Sequence, residues 1–245
     1  METKSNKIIV RERYRKIIRD LDLSLVDTYV REDYIQHSPM IPTGKHGLLQ
    51  MLAFLKTLPK PAEKGPSPII RVIGDGDMVA VHLDIKFMGK RAAVIDLFRL
   101  ENGQLAEHWD ASQDIADREE GLITKTNGST TIDESAEGIK SKKLVERFYS
   151  DVHDRVIAKV LEKYRVPDYI EHDKSNDLIN NPRDFVKLHR ILAEGNFVVA
   201  HCELNKGNNV ISNLSIFRIE DSKIAEHWSV EQKVPETMAH GNGMF

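Results

Sequence analysis

Thirteen residues from Leu97 to Trp109 (Leu-Phe-Arg-Leu-Glu-Asn-Gly-Gln-Leu-Ala-Glu-His-Trp) return as Ile216 to Trp228 (Ile-Phe-Arg-Ile-Glu-Asp-Ser-Lys-Ile-Ala-Glu-His-Trp). The same offset carries Gln113 onto Gln232. Farther upstream, Tyr34-Ile-Gln-His37 is matched by Tyr169-Ile-Glu-His172, and Val10, Tyr14 and Tyr29 match Val145, Tyr149 and Tyr164 without a gap. Repetition on this scale constrains the fold more than any local propensity, because one structural unit has to be built twice. A chain of 245 residues suits one or two domains at about 150 residues each; the repeat decides for two. The expected division is a first domain over 1–116, a linker over 117–138 containing Asn127-Gly128, a second domain over 139–235 and a flexible tail over 236–245. The second copy is the shorter one. Its His172 to His201 span is 29 residues against 45 from His37 to His82, and the proline-rich stretch through Pro59, Pro61, Pro66 and Pro68 has no counterpart.

Apolar spacing predicts a helix over 6–22, a short second helix capped by Ser24, and a third over Lys45–Thr57. Strands are predicted over Ile69–Ile73, Met78–Phe87, Arg91–Leu100 and Gln104–Ser112. In the second copy, a helix is predicted over Pro182–His189, then strands over Phe197–Asn205, Val210–Ile219 and Lys223–Val230. Helices followed by a run of strands joined by tight turns indicate the α+β class with an antiparallel sheet.

The hairpin around Glu101-Asn102-Gly103 places the candidate chemistry. A three-residue turn with a bulge at Gly103 pairs Leu100 with Gln104, Phe98 with Ala106, Asp96 with His108 and Val94 with Asp110. Asp96, Asp110 and His108 then share one face with Val94, Phe98 and Ala106, while Leu97, Leu105 and Trp109 point the other way. A plain two-residue turn would separate the two acids. Two carboxylates in an apolar setting raise one of their pKa values, which is what a combined general base and acid near neutral pH requires. His37, Tyr34, His82 and Phe98 are the further candidates for ligand contact. In the second copy Ser215 and Ser229 replace the two acids, so the chemistry is expected in the first copy alone.

The remaining signals are mostly exclusions. A net charge of −3 offers no general attraction to nucleic acid or anionic membrane, and the basic run Arg11, Arg13, Arg15, Lys16, Arg19 is read as a solvated helix face. No apolar run of about 18 residues and no secretory h-region are visible. Cys202 alone cannot form an internal disulfide and is read as a buried small hydrophobe, which together point to the cytoplasm. His37, His82 and His108 lack the short-range spacing of zinc ligands, and Gly74-Asp-Gly76 lies in a strand-to-strand turn rather than a phosphate loop. No metal and no cofactor are expected.

The first copy strings together Tyr-Ile-Gln-His, Pro-x-x-Pro-x-Gly, Asp-Gly-Asp-x-Val-Ala-Val and Phe-Arg-x-x-x-Gly-x-x-x-Glu-His-Trp-Asp. Over about Lys7–Asp114 this resembles the SnoaL-like polyketide cyclases of the nuclear-transport-factor-two-like superfamily, which include predicted aldol-condensation enzymes. The second copy carries only the start and end of the pattern. The resemblance implies two tandem cones, each with helices against a curved antiparallel sheet and a mostly apolar pocket in the mouth. It implies a general acid/base role for Asp110, with Asp96 standing where the family commonly has histidine. Single-domain relatives pair as dimers; here the copies are expected to pair within one chain, leaving a further homodimer open. The function so implied is binding of a small apolar molecule, with cofactor-independent aldol, isomerase or hydratase chemistry. The alternative is a non-catalytic small-molecule-binding or assembly module.

Overall fold

A computed structural model describes residues 5–59, 65–116, 123–154, 157–173 and 184–245. The first copy runs α1 (Asn6–Arg13, continued by a π-helical stretch, Tyr14–Arg19), α2 (Val26–Tyr29), β1 (Val30–Gln36), α3 (Gly44–Thr57), β2 (Ile69–Asp75), β3 (Met78–Phe87), β4 (Lys90–Glu101) and β5 (Gln104–Ile115). The second runs α4 (Gly138–Asp154), α5 (Ile157–Tyr164), β6 (Arg165–Glu171), β7 (Phe185–Glu194), β8 (Phe197–Lys206), β9 (Asn209–Glu220) and β10 (Lys223–Lys233). Strand order is β1-β5-β4-β3-β2 in one sheet and β6-β10-β9-β8-β7 in the other. The sequence repeat is thus a repeat of topology, and the α+β class holds. Among the described residues no helix is long and apolar enough to cross a membrane.

Several local expectations change. Both sheets are mixed rather than antiparallel, because β1 lies parallel to β5 and β6 parallel to β10. Tyr34-Ile-Gln-His37 is the end of strand β1 and its following residue. The helix predicted over Pro182–His189 is absent from its described part, where Phe185 begins β7 and pairs with β8. A short apolar run fits either period, and the hydrogen-bonding edge of β8 decides it. Pro182, Pro61 and linker positions 117–122 lie outside the described residues. Asp22, not Ser24, caps the short helical segment: its Oδ1 accepts from the Ser24 amide at 3.2 Å.

Each copy has its own core between its helices and one sheet face, with Tyr14, Tyr34 and Phe98 in the first and Tyr149, Cys202 and Phe217 in the second. A third core joins the opposite faces of the two sheets, where Leu97, Trp109 and Ile95 meet Ile216, Trp228 and Leu214. Fully burying such side chains is worth about 1.5–3 kcal/mol each, so the two copies share a core and do not merely touch. Leu105, expected on this face with Trp109, belongs instead to the first copy's internal core.

Contacts across the third core are reciprocal. Ser112 N donates to Gln232 Oε1 at 2.9 Å and Glu231 N to Gln113 Oε1 at 3.2 Å. Gly74 N donates to Glu194 Oε2 at 2.7 Å and Ala193 N to Asp75 Oδ2 at 3.1 Å. The Arg71 guanidinium sits 4.0 Å from the Trp228 ring centroid, and Arg190 sits 3.8 Å from that of Trp109. The pairing of the sheets is therefore specified by the same repeated positions that betray the duplication.

The connecting segments are exchanged in the same way. After the first copy, the linker lies on the second: Thr124 O faces His172 Nδ1 at 2.9 Å, and Asn127 O accepts from Trp228 Nε1 at 2.8 Å and Arg71 Nη2 at 2.6 Å. After the second copy, the segment expected to be a flexible tail lies on the first. Ala239 N donates to Pro39 O at 2.8 Å, Asn242 Nδ2 to Gln36 O at 2.9 Å, and Gly243 O faces His37 Nδ1 at 2.9 Å. Met244 is buried and Phe245 stacks on His189 with centroids 4.5 Å apart. Its polar composition suggested fraying, but backbone and amide partners on the other copy satisfy it. Asn242→Ala is expected to cost about 1–2 kcal/mol, one unit for each hydrogen bond lost. Faster amide exchange at Gln36–Ser38, with no change on α4, would be the measured sign; unchanged exchange would mean that the segment does not hold that loop.

Candidate functional site

The hairpin turn is a two-residue one, with Asn102 at φ +52 and Gly103 at φ +78, so Glu101 pairs with Gln104. A bulge inside β5, at Ala106, then shifts the register between Arg99 and Leu100. Beyond it Phe98 faces His108 and Asp96 lies directly opposite Asp110. The three candidate groups still share a face, though the slip that brings them together sits three residues past Gly103. Turn chemistry could not reveal an irregularity inside the strand.

On that face the His108 ring stacks on Phe98, centroids 4.6 Å apart, and its Nε2 stands 3.5 Å from Asp96 Oδ1. His108 Nδ1 lies 2.8 Å from Gln36 Oε1, an acceptor, which assigns the Nδ1 proton to that bond. Ser38 Oγ donates to Asp110 Oδ2 at 3.2 Å, while Asp110 Oδ1 is buried without a partner. Burial pushes the Asp110 carboxyl up to about 6; His108 pulls it down, Asp96 pushes it up again and the Ser38 hydroxyl lowers it. A carboxyl raised this far can exchange a proton near neutrality.

Gln36 and Ser38 come from the exit of β1 and were not singled out in the sequence. Gln36 Oε1 also accepts from the amides of His37 and Ser38 at 3.0 and 2.9 Å. One side chain therefore fixes both the His108 tautomer and the loop that presents Ser38. The signal was available in the repeat: Gln36 aligns with Glu171 and Ser38 with Asp173.

The other predicted contacts divide. Tyr34 and Phe98 are buried in the first internal core beside the acids, and Tyr34 lies within electrostatic range of Arg13 and Asp110. His37 is turned away: it stacks on Trp109 at 4.8 Å and its Nε2 meets Glu107 at 2.9 Å, on the face between the sheets. His82 is there too, 2.9 Å from Arg71 Nη1, and its burial beside that guanidinium keeps it neutral. Period-two alternation is the reason, since His82 faces opposite to Val81 and Leu83, which line the internal core. Arg13, read as part of a solvated face, is instead buried in the first core region.

The second copy inverts the arrangement. Ser229 Oγ donates to Asp173 Oδ2 at 2.9 Å where Ser38 donates to Asp110, and Lys125 from the linker pairs with Asp173 Oδ1 at 2.5 Å. Glu171 lies 3.1 Å from His227 Nδ1 in place of the Gln36 contact. Burial pushes Glu171 up, yet the neighbouring His227 and the Tyr169 hydroxyl bring it below the usual range. Carboxylates are therefore present, supplied by β6 and its exit, but Glu171 is held below the usual range and Asp173 is paired to Lys125. Two surface clefts, of about 450 Å³ beside Arg165 and Tyr169 and about 280 Å³ beside Arg91 and Asp114, do not border the Asp110 group; the first touches the second copy's set through Tyr169.

Residues 10–108 match the SnoaL-like domain family. The second sheet repeats the strand order of the first, as a tandem duplication requires. Solved structures resembling parts of the chain include IdmH from Streptomyces antibioticus, a candidate polyketide cyclase, at 18% identity over 44% of this chain and 92% of that one, with a TM-score of 0.36. TsrD from Streptomyces laurentii is 18% identical over 45% and 91%, TM-score 0.35. A candidate ketosteroid isomerase from Kribbella flavida is 11% identical over 41% and 84%, TM-score 0.35. No curated protein matches the chain.

Proposed function

We propose that the first copy binds a small, largely apolar carbonyl compound and moves a proton on it without a cofactor, by aldol, isomerase or hydratase-type chemistry. The observation that carries this reading is the Asp110 carboxyl, opposite Asp96, with its pKa near 6 and its Oδ1 unpartnered. As carboxylate, Asp110 takes a proton from the carbon next to the carbonyl. As acid, it returns that proton to carbon or to an alkoxide. Asp96 and His108 adjust its affinity for the proton, and Phe98 and Tyr34 supply the apolar wall. The second copy, with Asp173 paired to Lys125, serves as scaffold. The division at 1–116 and 139–235 belongs to the same proposal. Deuterium exchange at the α-carbon of 2-tetralone, followed by NMR, is the test. The wild-type protein should accelerate it over buffer, His227→Gln should retain it and Asp110→Asn should lose it. Loss with His227→Gln and not with Asp110→Asn would put the working site in the other copy.

A further inference from the structure

Arg13 is an anomaly in the first copy. It ends α1, is 4% exposed, and points into the core with Val10 and Ile17 around it in sequence. Its guanidinium carbon lies 4.8 Å from the Phe98 ring centroid and 5.1 Å from that of Tyr14. Its Nε has no hydrogen-bond partner. Tyr34 and Asp96 lie within electrostatic range of it, but ring faces are a thin substitute for a hydrogen-bond acceptor at Nε, and a buried cation short of acceptors is expensive.

Arg13 is not the single unsatisfied group. Tyr14 Oη, His108 Nε2 and Asp110 Oδ1 are likewise buried without a hydrogen-bond partner, the Nε2 standing 3.5 Å from Asp96 Oδ1. Contacts join them in one cluster: Arg13 lies over Phe98, Phe98 stacks on His108, Tyr14 meets Phe98 edge-on at 6.0 Å, His108 faces Asp96, and Asp96 lies opposite Asp110. Buried polar atoms are rarely left unpaired in a folded protein. With Tyr34 Oη, also unpartnered and in electrostatic range of Arg13 and Asp110, these groups form one cluster of donors and acceptors suited to a polar guest. The repeat supports this. Where the first copy has Arg13, Asp96 and Asp110, the second has Phe148, Ser215 and Ser229, so cation and acids are absent together.

We propose that Arg13 is a further catalytic residue of the first copy, whose guanidinium receives the carbonyl oxygen of the substrate as that oxygen becomes anionic. The assignment rests on the proton-transfer reading above for its chemistry. When the α C–H bond breaks, its proton passes to Asp110 and its electron pair forms the carbon–carbon double bond. The carbonyl π pair moves onto oxygen, and Arg13 donates to that oxygen from a preorganised position. The pair returns when the carbon is reprotonated by Asp110, or when it attacks a second carbonyl whose oxygen takes the same proton. No electrons enter or leave. Ligands that are anionic when bound, planar and otherwise apolar are the class such a cluster selects.

The probe is 4-nitrophenolate, a stable planar anion whose absorbance reports ionisation, set against the neutral isostere 4-nitrotoluene. Wild-type protein should prefer the anion by at least about tenfold, the worth of a hydrogen bond to a charged group. Arg13→Gln should lose that preference, Arg13→Lys should recover part of it, and Asp110→Asn should keep it. Equal binding of anion and neutral isostere by the wild type overturns the assignment even if no Arg13 variant folds. So does an Arg13→Gln protein that binds the anion as the wild type does, while intact 2-tetralone exchange in the wild type would leave the proton-transfer reading standing. Anion binding through Arg13 without exchange in any protein would do the reverse, sustaining the site and removing the proton-transfer reading.

Discussion

Asp110→Asn is expected to abolish α-proton exchange, by about 10²–10⁴-fold if the carboxyl is the general acid/base, and yet to leave the fold at least as stable as wild type at pH 7. The two effects have one origin. Burial raises the folded-state pKa of Asp110 to about 6, above its unfolded value, so the folded protein binds the proton more tightly than the unfolded chain does. Between the two pKa values stability therefore falls as pH rises, and above both the ionised carboxylate costs on the order of 3 kcal/mol. Asparagine removes that charge while keeping an acceptor for Ser38. The variant should melt several degrees higher at pH 7, at about 2–4 °C per kcal/mol for a chain of this size. The gain should vanish below about pH 4, where wild-type Asp110 is protonated in both states. Thermal unfolding of both proteins across pH 4 to 8 measures it. A variant that melts lower at pH 7 would mean that Asp110 is held as an ionised structural acceptor, and the catalytic reading would lose its support.

Gly128→Ala is expected to be strongly destabilising. Gly128 lies where the linker crosses the second copy, with φ at +88. A Cβ there would stand 2.5 Å from Glu226 Oε2, 2.7 Å from His172 Cε1 and 2.7 Å from Trp228 Cζ2. None of these can retreat freely. Glu226 is held by Arg218 at 2.6 Å and His172 at 3.0 Å, and the Trp228 indole is closed in by Arg71 and the third core. The left-handed backbone costs alanine about 1–2 kcal/mol and the overlap about 1–3 more. Gly44→Ala is the matched control, since Gly44 has φ +83 but open space around its Cβ position. Its loss should be limited to the backbone part. Denaturant unfolding should then separate the two by about 1–3 kcal/mol; equal losses would mean that the linker does not lie against Trp228.

The burial of Arg13 shows where a reading of residue types stops. In α1 its neighbours Arg11, Arg15 and Arg19 do lie on the outer side, and one charge in the same run turns inward. Composition treats the run as a unit; helical geometry treats each position separately. His37 and His82 teach the complementary point. Both are buried, so they were reasonable candidates, but strand alternation sends them to the face between the sheets, where they hold Glu107 and Arg71. Leu105 changed faces for a third reason, because the bulge at Ala106 alters the count along β5.

From the sequence alone, the duplication, the α+β class, most strand boundaries and the outward faces of Trp109 and Trp228 could be derived. These depend on period, turn residues and repetition, all of which are local or self-referential. Only the tertiary structure decided that β1 and β6 pair in parallel, that Phe185–Glu194 is a strand, and that the acids face each other across a bulge. It alone revealed that each connecting segment is docked on the opposite copy. Those outcomes depend on which hydrogen-bonding edge is free and which copy a segment can reach. Such facts exist only after distant parts of the chain have come together. The exchange of Asp110 and Ser38 for Ser229 and Asp173 stands between the two: its letters are in the sequence, but its meaning required the 3.2 and 2.9 Å contacts that show the hydroxyl and the acid have traded places.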